Sequence, residues 1–223
     1  MLFRSLAEFI TEDLDLWILN RLDLVIKKYN EQFEIFEYAK AREVIEEFFW
    51  HYFCDNYLEI CKVRSYGLSA QILENIELNT DQKNEIIAKQ LSSLATLFLC
   101  LKNILKLFAP IIPHICEEIY SKIFSEEFAN FKSIHARGNY PQLPKNLKYD
   151  QKYFQIGDEV LAIIFEVRKF KSEKNLSMKS IIVVLQIVTK LDLTRAGADI
   201  ANVCNAQKIE FILGNNLEVK ISC

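Results

Sequence analysis

Glycine and proline are scarce in this chain, five and four among 223 residues. So few turn formers argue against a sandwich or barrel built from many short strands. Histidine is rarer still: His51, His114 and His135 are the only three, and none has the i, i+4 histidine or cysteine spacing of a zinc site. The six cysteines (Cys54, Cys61, Cys100, Cys116, Cys204, Cys223) form no C-x-x-C pair, and three of the six stand at apolar helical positions. That pattern reads as reduced, buried thiols of a cytosolic protein, not as a disulfide framework. G-x-G-x-x-G, P-loop and G-x-S-x-G motifs are all missing, which removes the common dinucleotide, phosphate-loop and esterase readings. The net charge is only −3, so a polyanion site has to be a local basic patch. A leader is not expected either, because Phe9-Ile10 runs at once into Thr11-Glu12-Asp13. The longest uncharged apolar run, Leu94 to Leu101, stops at Lys102, far short of the roughly 20 residues of a bilayer span. A soluble protein without a membrane segment is expected.

What is abundant is apolar surface with helical spacing. Hydrophobic residues make up 51% of the chain, ample for a packed core. Leu16, Leu19, Leu22, Val25 and Ile26 mark an amphipathic helix over about 14–29, with Asp13 or Asp15 complementing its N-terminal dipole. A second helix is predicted over about 34–64. Ala41, Ile45, Phe48 and Tyr52 form one apolar row, and Phe49, Phe53, Tyr57 and Ile60 the next. Glu43, Glu47, His51, Asp55, Glu59 and Lys62 make up its polar side. A loop over 65–81 leads to a third helix, about 81–108, with Leu91, Leu94, Phe98, Leu101 and Leu105 as its apolar stripe. Pro110 ends that helix and Pro113 opens a fourth, 114–124. The fold class that follows is mainly α, an antiparallel helical bundle and then a small α+β subdomain. Its boundaries are 1–132 for the bundle, 133–148 for a linker and 149–223 for the subdomain. Within the last part a helix covers 149–171 and a β-branched run, 180–188, reads as a strand. A short helix covers 199–205, and segments 208–213 and 217–222 flank Gly214-Asn215-Asn216 as a hairpin.

No catalytic constellation and no metal site emerges. Asp55 and Glu59 share a helix face, yet Glu59 near Lys62 reads more simply as a solvated pair. The basic residues carry more. Arg168, Lys169, Lys171, Lys174 and Lys179 against Glu173 leave a local excess of four positive charges, and Lys62 and Arg64 add charge at the end of the second helix. Each cluster suits either a helix C-terminus with a solvated loop or contact with phosphates. Leu58 continues Trp50, Cys54 and Cys61 beside the polar face, either closing the core or offering a platform for an unpaired base.

Four segments then carry a resemblance. Asp15-Leu16-Trp17-Ile18-Leu19-Asn20-Arg21-Leu22 resembles the D-x-W-I-x-x-R-L helix of the anticodon-binding domain of class Ia aminoacyl-tRNA synthetases. The stretch 41–59, ending Phe53-Cys54-Asp55-Asn56-Tyr57-Leu58-Glu59, is similar to the F-C-D-W-Y-L-E helix of the valyl members, with Asn56 in place of their Trp. Residues 107–120 resemble the proline corner L-H-P-x-x-P-F-x-x-E-E-L-W, and 168–176 the V-R-x-x-K-x-x-x-x-L segment that follows. Ser177-Met178-Lys179-Ser180 has only a superficial likeness to the K-M-S-K-S loop of such enzymes. Its first lysine is missing and no H-I-G-H partner occurs, so it reads as a turn before the strand.

The likeness covers roughly 13–213. It implies an anticodon stem-loop binding portion that supports aminoacylation of tRNA(Val) in a full-length valine–tRNA ligase. The catalytic and editing domains are absent from this sequence, so the chain is expected to be inactive alone. Leu58 and Glu59 carry the family's contact role near the anticodon. Lys62, Arg64, Arg168, Lys169, Lys171 and Lys174 are candidates for backbone phosphates. Catalytic residues, metals and cofactors are not expected in this chain; ATP belongs to the full-length enzyme. The expected partner is tRNA, tRNA(Val) first, for a cytoplasmic monomer. Two alternatives stay open: the matching domain of an isoleucyl, leucyl or methionyl enzyme, and a helical protein-interaction module that has lost RNA binding.

Overall fold

The computed structural model describes residues 2–67, 79–124, 133–136 and 140–222, with side chains from Leu6 onward. After a short helix α1 (Leu2–Phe9), α2 (Asp13–Glu34) forms the axis of the bundle. Every residue from Leu14 to Asn20 is buried, so neighbours surround this half of α2 on all sides; only later does the burial become one-faced, at Leu22, Ile26 and Tyr29. Phe36, at φ 63°, turns the chain into the next helix, which the sequence had running unbroken from about residue 34.

That next helix is continuous over 38–66 but changes pitch. It begins as α3 (Tyr38–Glu47), widens into a π-helical segment (Phe48–Tyr57) and returns to α pitch as α4 (Leu58–Tyr66). The wide turn has a packing reason. Phe48, Phe53 and Tyr57 are the buried aromatics, and a step of five from Phe48 to Phe53 leaves an α-helical face while keeping a π-helical one. Asn56 stabilises the turn by donating from Nδ2 to the carbonyl of His51, 2.7 Å away. The two predicted rows therefore merge, and Tyr52 is only half-buried. All six residues assigned to the polar side are exposed.

Helix α5 (Thr80–Phe108) opens on a capping box in which Asn79 accepts from the Gln82 amide and Gln82 returns the bond. By length and composition alone α5 is apolar enough to cross a bilayer, more so than the run 94–101 implied; 61% of that window is buried inside the protein. Its inward face also differs from the expected stripe. Ser92, Ser93, Ala95, Thr96, Leu99 and Cys100 are buried, whereas Leu91 and Leu94 are exposed. Small side chains face α2 and α4 because helices approach closely there, and a leucine row would hold them apart. The proline corner forms as predicted: α5 stops at Phe108 and α6 (Pro113–Phe124) starts on its proline. Leu105, Ala109, Cys116, Tyr120 and Phe124 then pack with Ile134.

Residues 140–148 run over the bundle: Leu147 is buried in its core, Gln142 donates to Asn103, and Asn20 holds the Lys148 carbonyl. Helix α7 (Gln151–Glu173) follows and is a wall of two cores. Tyr153 joins the bundle core, while Val160, Ile163, Ile164 and Val167 join a second core that also takes Leu14 and Ile60. Gly157 allows the approach, since a Cβ there would lie 2.2 Å from the Trp17 ring.

The sheet corrects one prediction. Strands β1 (Ile182–Thr189), β2 (Ala206–Leu213) and β3 (Glu218–Ser222) are ordered β2-β1-β3, so the last two do not form a hairpin. β1 pairs in parallel with β2 (Leu185 opposite Ile209) and antiparallel with β3 (Leu185 opposite Ile221). Ile182, Leu185 and Ile187 are fully buried, which makes β1 the strand suited to the centre, and the half-polar β2 and β3 take its edges. A 3₁₀ turn (Thr194–Ala196) and α8 (Gly197–Cys204) make the parallel crossover. The chain then returns across the end of β1, where Gly214 donates to the Thr189 carbonyl at 3.0 Å.

Candidate nucleic-acid interface

Four pieces of chain converge at the junction of the bundle and the sheet: the start of α4, the last turns of α7, the loop 174–181, and the end of α8. They enclose an open groove of about 580 Å³. Ile164 and Val167 give it an apolar floor; Glu59, Arg168, Met178, Lys179, Asn202 and Asn205 supply most of the rest. Asn205 takes the left-handed conformation that ends α8, and its Nδ2 donates to the Lys179 carbonyl.

Two of the predicted residues meet here with side chains toward solvent. Glu59, at the first turn of α4, is exposed and paired with Lys62 at 3.2 Å. Arg168, half-buried, reaches back from α7 to the π segment, donating to Asn56 Oδ1 at 3.1 Å and the Asp55 carbonyl at 3.0 Å. This contact fixes α7 against the π-to-α junction and gives Asn56 a role that an indole could not fill. Lys169 and Lys174 are exposed near the groove in sequence but do not line it, and Lys179 does. Leu58 is partly buried against the bundle core, beside this surface.

Two of the predicted phosphate contacts turn inward instead. Lys171 is 2% exposed, and its ammonium donates to the carbonyls of Met178 and Cys204, both at 2.9 Å. Arg64 turns inward from α4. Its guanidinium forms a two-pronged pair with Asp15, both bonds 2.8 Å, and its Nε donates to both carboxylate oxygens of Asp199 at 3.1 Å. Asp15, fully buried, also accepts from Tyr57 Oη at 2.7 Å and Ser92 Oγ at 2.6 Å. The expected phosphate role of Arg64 gives way for a simple reason: two buried carboxylates require the cation, and a water-facing guanidinium would leave both uncompensated.

The electrostatics of this cluster follow from one cation shared by two acids. Burial, with Asp15 nearby, pushes the Asp199 carboxyl up to about 6 even though Arg64 pulls it down. Burial acts to lower the Arg64 pKa, but the hydrogen bonds and charge of Asp15 outweigh it and hold the group charged. Burial and the Asp15 charge raise the Tyr57 phenol, which stays protonated and donating. Cys204, beneath the groove, is pushed up to about 12 by burial, so it is an inert thiol there. Among the described residues no group of three or more metal-type side chains occurs.

Sequence reasoning missed Asp15 and Asp199 as partners of Arg64, and it missed Asn202 and Asn205 on the groove. An aspartate inside the otherwise apolar Leu14–Leu19 run was the one available signal, and helix-dipole complementarity explained it away.

The arrangement is a mixed surface: the exposed Lys179 joins amide, carboxylate and guanidinium edges over an apolar floor. Such a surface can hold a phosphate backbone and receive unpaired bases. The family described as the anticodon-binding domain of tRNA ligase matches residues 15–186. Curated relatives include the valine–tRNA ligase of Rickettsia felis, 38% identical over 93% of this chain and 22% of that protein. That of Rickettsia akari is 37% identical over 93% and 23%, and that of Rickettsia canadensis 36% over 97% and 24%. The chain thus spans less than a quarter of the length of these relatives. It belongs to the family of anticodon-binding domains of tRNA ligases.

Proposed function

We propose that this chain binds the anticodon stem-loop of tRNA, tRNA(Val) in particular, as the anticodon-binding part of a valine–tRNA ligase. The observation that carries the reading is the groove between α4, α7 and α8, lined by Glu59, Arg168 and Lys179, with Lys62 paired to Glu59 and Lys169 and Lys174 exposed at the C-terminal end of α7. Exposed lysines supply affinity through phosphates, without regard to sequence. Leu58, Glu59 and the asparagine edges select among splayed bases. The valine specificity rests on the three valine–tRNA ligases named above. Aminoacylation, with its ATP, belongs to the longer enzyme; this chain needs no cofactor to bind and acts as a cytoplasmic monomer.

Fluorescence titration of labelled tRNA(Val) tests this at two salt concentrations. Binding should weaken about a hundredfold between about 50 and 200 mM salt, as roughly four phosphate contacts require. Reversing charge at Lys169 and Lys174 together should weaken binding to any tRNA. Leu58→Ala should act more on anticodon preference. Binding that is absent, or equal at both salts, would remove the reading and favour a protein-interaction module.

A further inference from the structure

The C-terminal end of α7 and its cap carry two kinds of lysine. Lys169 and Lys174 point to water; Lys171, between them, is buried at the base of the groove. Its two acceptors belong to opposite walls, Met178 in the loop before β1 and Cys204 at the end of α8. Both walls line the groove. The Ile182 N–H on the Asn205 carbonyl, 2.9 Å, already joins the walls where β1 begins; nearer the groove the Met178 and Cys204 carbonyls would repel one another without a donor between them. A buried ammonium suits that place better than a neutral group, because its bonds to carbonyls are charge-assisted. The Asn205 amide on the Lys179 carbonyl is a weaker tie between the same walls.

We propose that Lys171 is a positioning residue of the RNA interface. It sets the separation of the 177–180 loop and the C-terminal end of α8, so that Lys179, Asn202 and Asn205 present one continuous edge, and it never touches RNA. This rests on the reading that the groove receives tRNA. A contact lysine and a positioning lysine differ in a measurable way: removing the first lowers the slope of log affinity against log salt by about one, while removing the second leaves that slope unchanged.

The test compares the 223-residue chain with Lys171→Met and with Lys169→Met, titrating tRNA(Val) at three or more salt concentrations. Lys171→Met should bind at least about fivefold more weakly at every salt with the wild-type slope, while Lys169→Met should lose about one from the slope. Amide exchange at 178–180 and at Asn205 should quicken at least about tenfold in Lys171→Met alone, since those amides open locally when the tie is cut. A lowered slope in Lys171→Met, or unchanged affinity and exchange, would overturn the proposal. If wild type binds no tRNA, the functional reading fails, while the exchange comparison still decides whether Lys171 ties the walls. If Lys171→Met does not fold, amine acylation of the wild-type chain replaces it. Lys171 should then stay unmodified with and without tRNA while Lys169 and Lys174 are modified only when free; modification of Lys171 that tRNA suppresses would contradict the proposal.

Discussion

Arg64 shows how a single side chain ties separate parts of the chain. It draws α2, α4 and α8 together through Asp15 and Asp199, with Tyr57 and Ser92 completing the acceptor shell of Asp15. Arg64→Leu should cost about 3–5 kcal/mol in urea unfolding, since it leaves two buried carboxylates without a cation. Tyr57→Phe should cost about 1–2 kcal/mol, the price of one lost hydrogen bond to a buried acid. Asp199 offers a pH signature. Its folded pKa of about 6 lies above the ordinary aspartate value, so the native state binds more protons between roughly pH 4 and 6. The stability linked to that proton is fully present at low pH and is lost as pH rises through 6. Asp199→Asn removes the titration, so its stability relative to wild type should rise between pH 4.5 and 7.5, by at most about 3 kcal/mol. Parallel urea curves at the two pH values measure this; a difference that does not change with pH contradicts the assigned shift.

The elements were largely legible in the sequence, and their exceptions have physical causes. Helices α2, α5, α6 and α7 follow from period and prolines, because burial on a bundle selects for that pattern. The π segment was hidden because a run of aromatics satisfies both the 3.6 and the wider period. The inner face of α5 is hidden in the sequence because apolar size marks burial only where helices stand apart, whereas close helix contact selects Ser92, Ser93 and Ala95. The false hairpin arose from Gly214-Asn215-Asn216, a turn signal that fixes a reversal without choosing the neighbours of each strand. Close approach also makes Gly157 sensitive: Gly157→Val should separate α7 from Trp17 and lower stability by about 1–3 kcal/mol in thermal unfolding, with little effect on RNA affinity measured well below the melting point. The candidate site was legible as charge but not as orientation. Lys169 and Lys171 are equivalent as letters, and only the meeting of α7 with the 174–181 loop and α8 decides which one faces water.

At the scale of the molecule, the bundle and the small sheet share buried surface, since Leu14 and Ile60 of the bundle sit in the core of the sheet unit. Inward-facing Arg64 and Lys171 occupy the joint, and the groove opens beside them with Arg168 and Lys179 in its lining. On the proposed function, tRNA lies along this joint. Amide hydrogen exchange of the chain with and without tRNA(Val) decides this. Slowed exchange should concentrate at 58–62, 168–179 and 202–205, with the α5–α6 corner unchanged. Protection centred on that corner, or on the outer edge of β2, with the joint unaffected would contradict it.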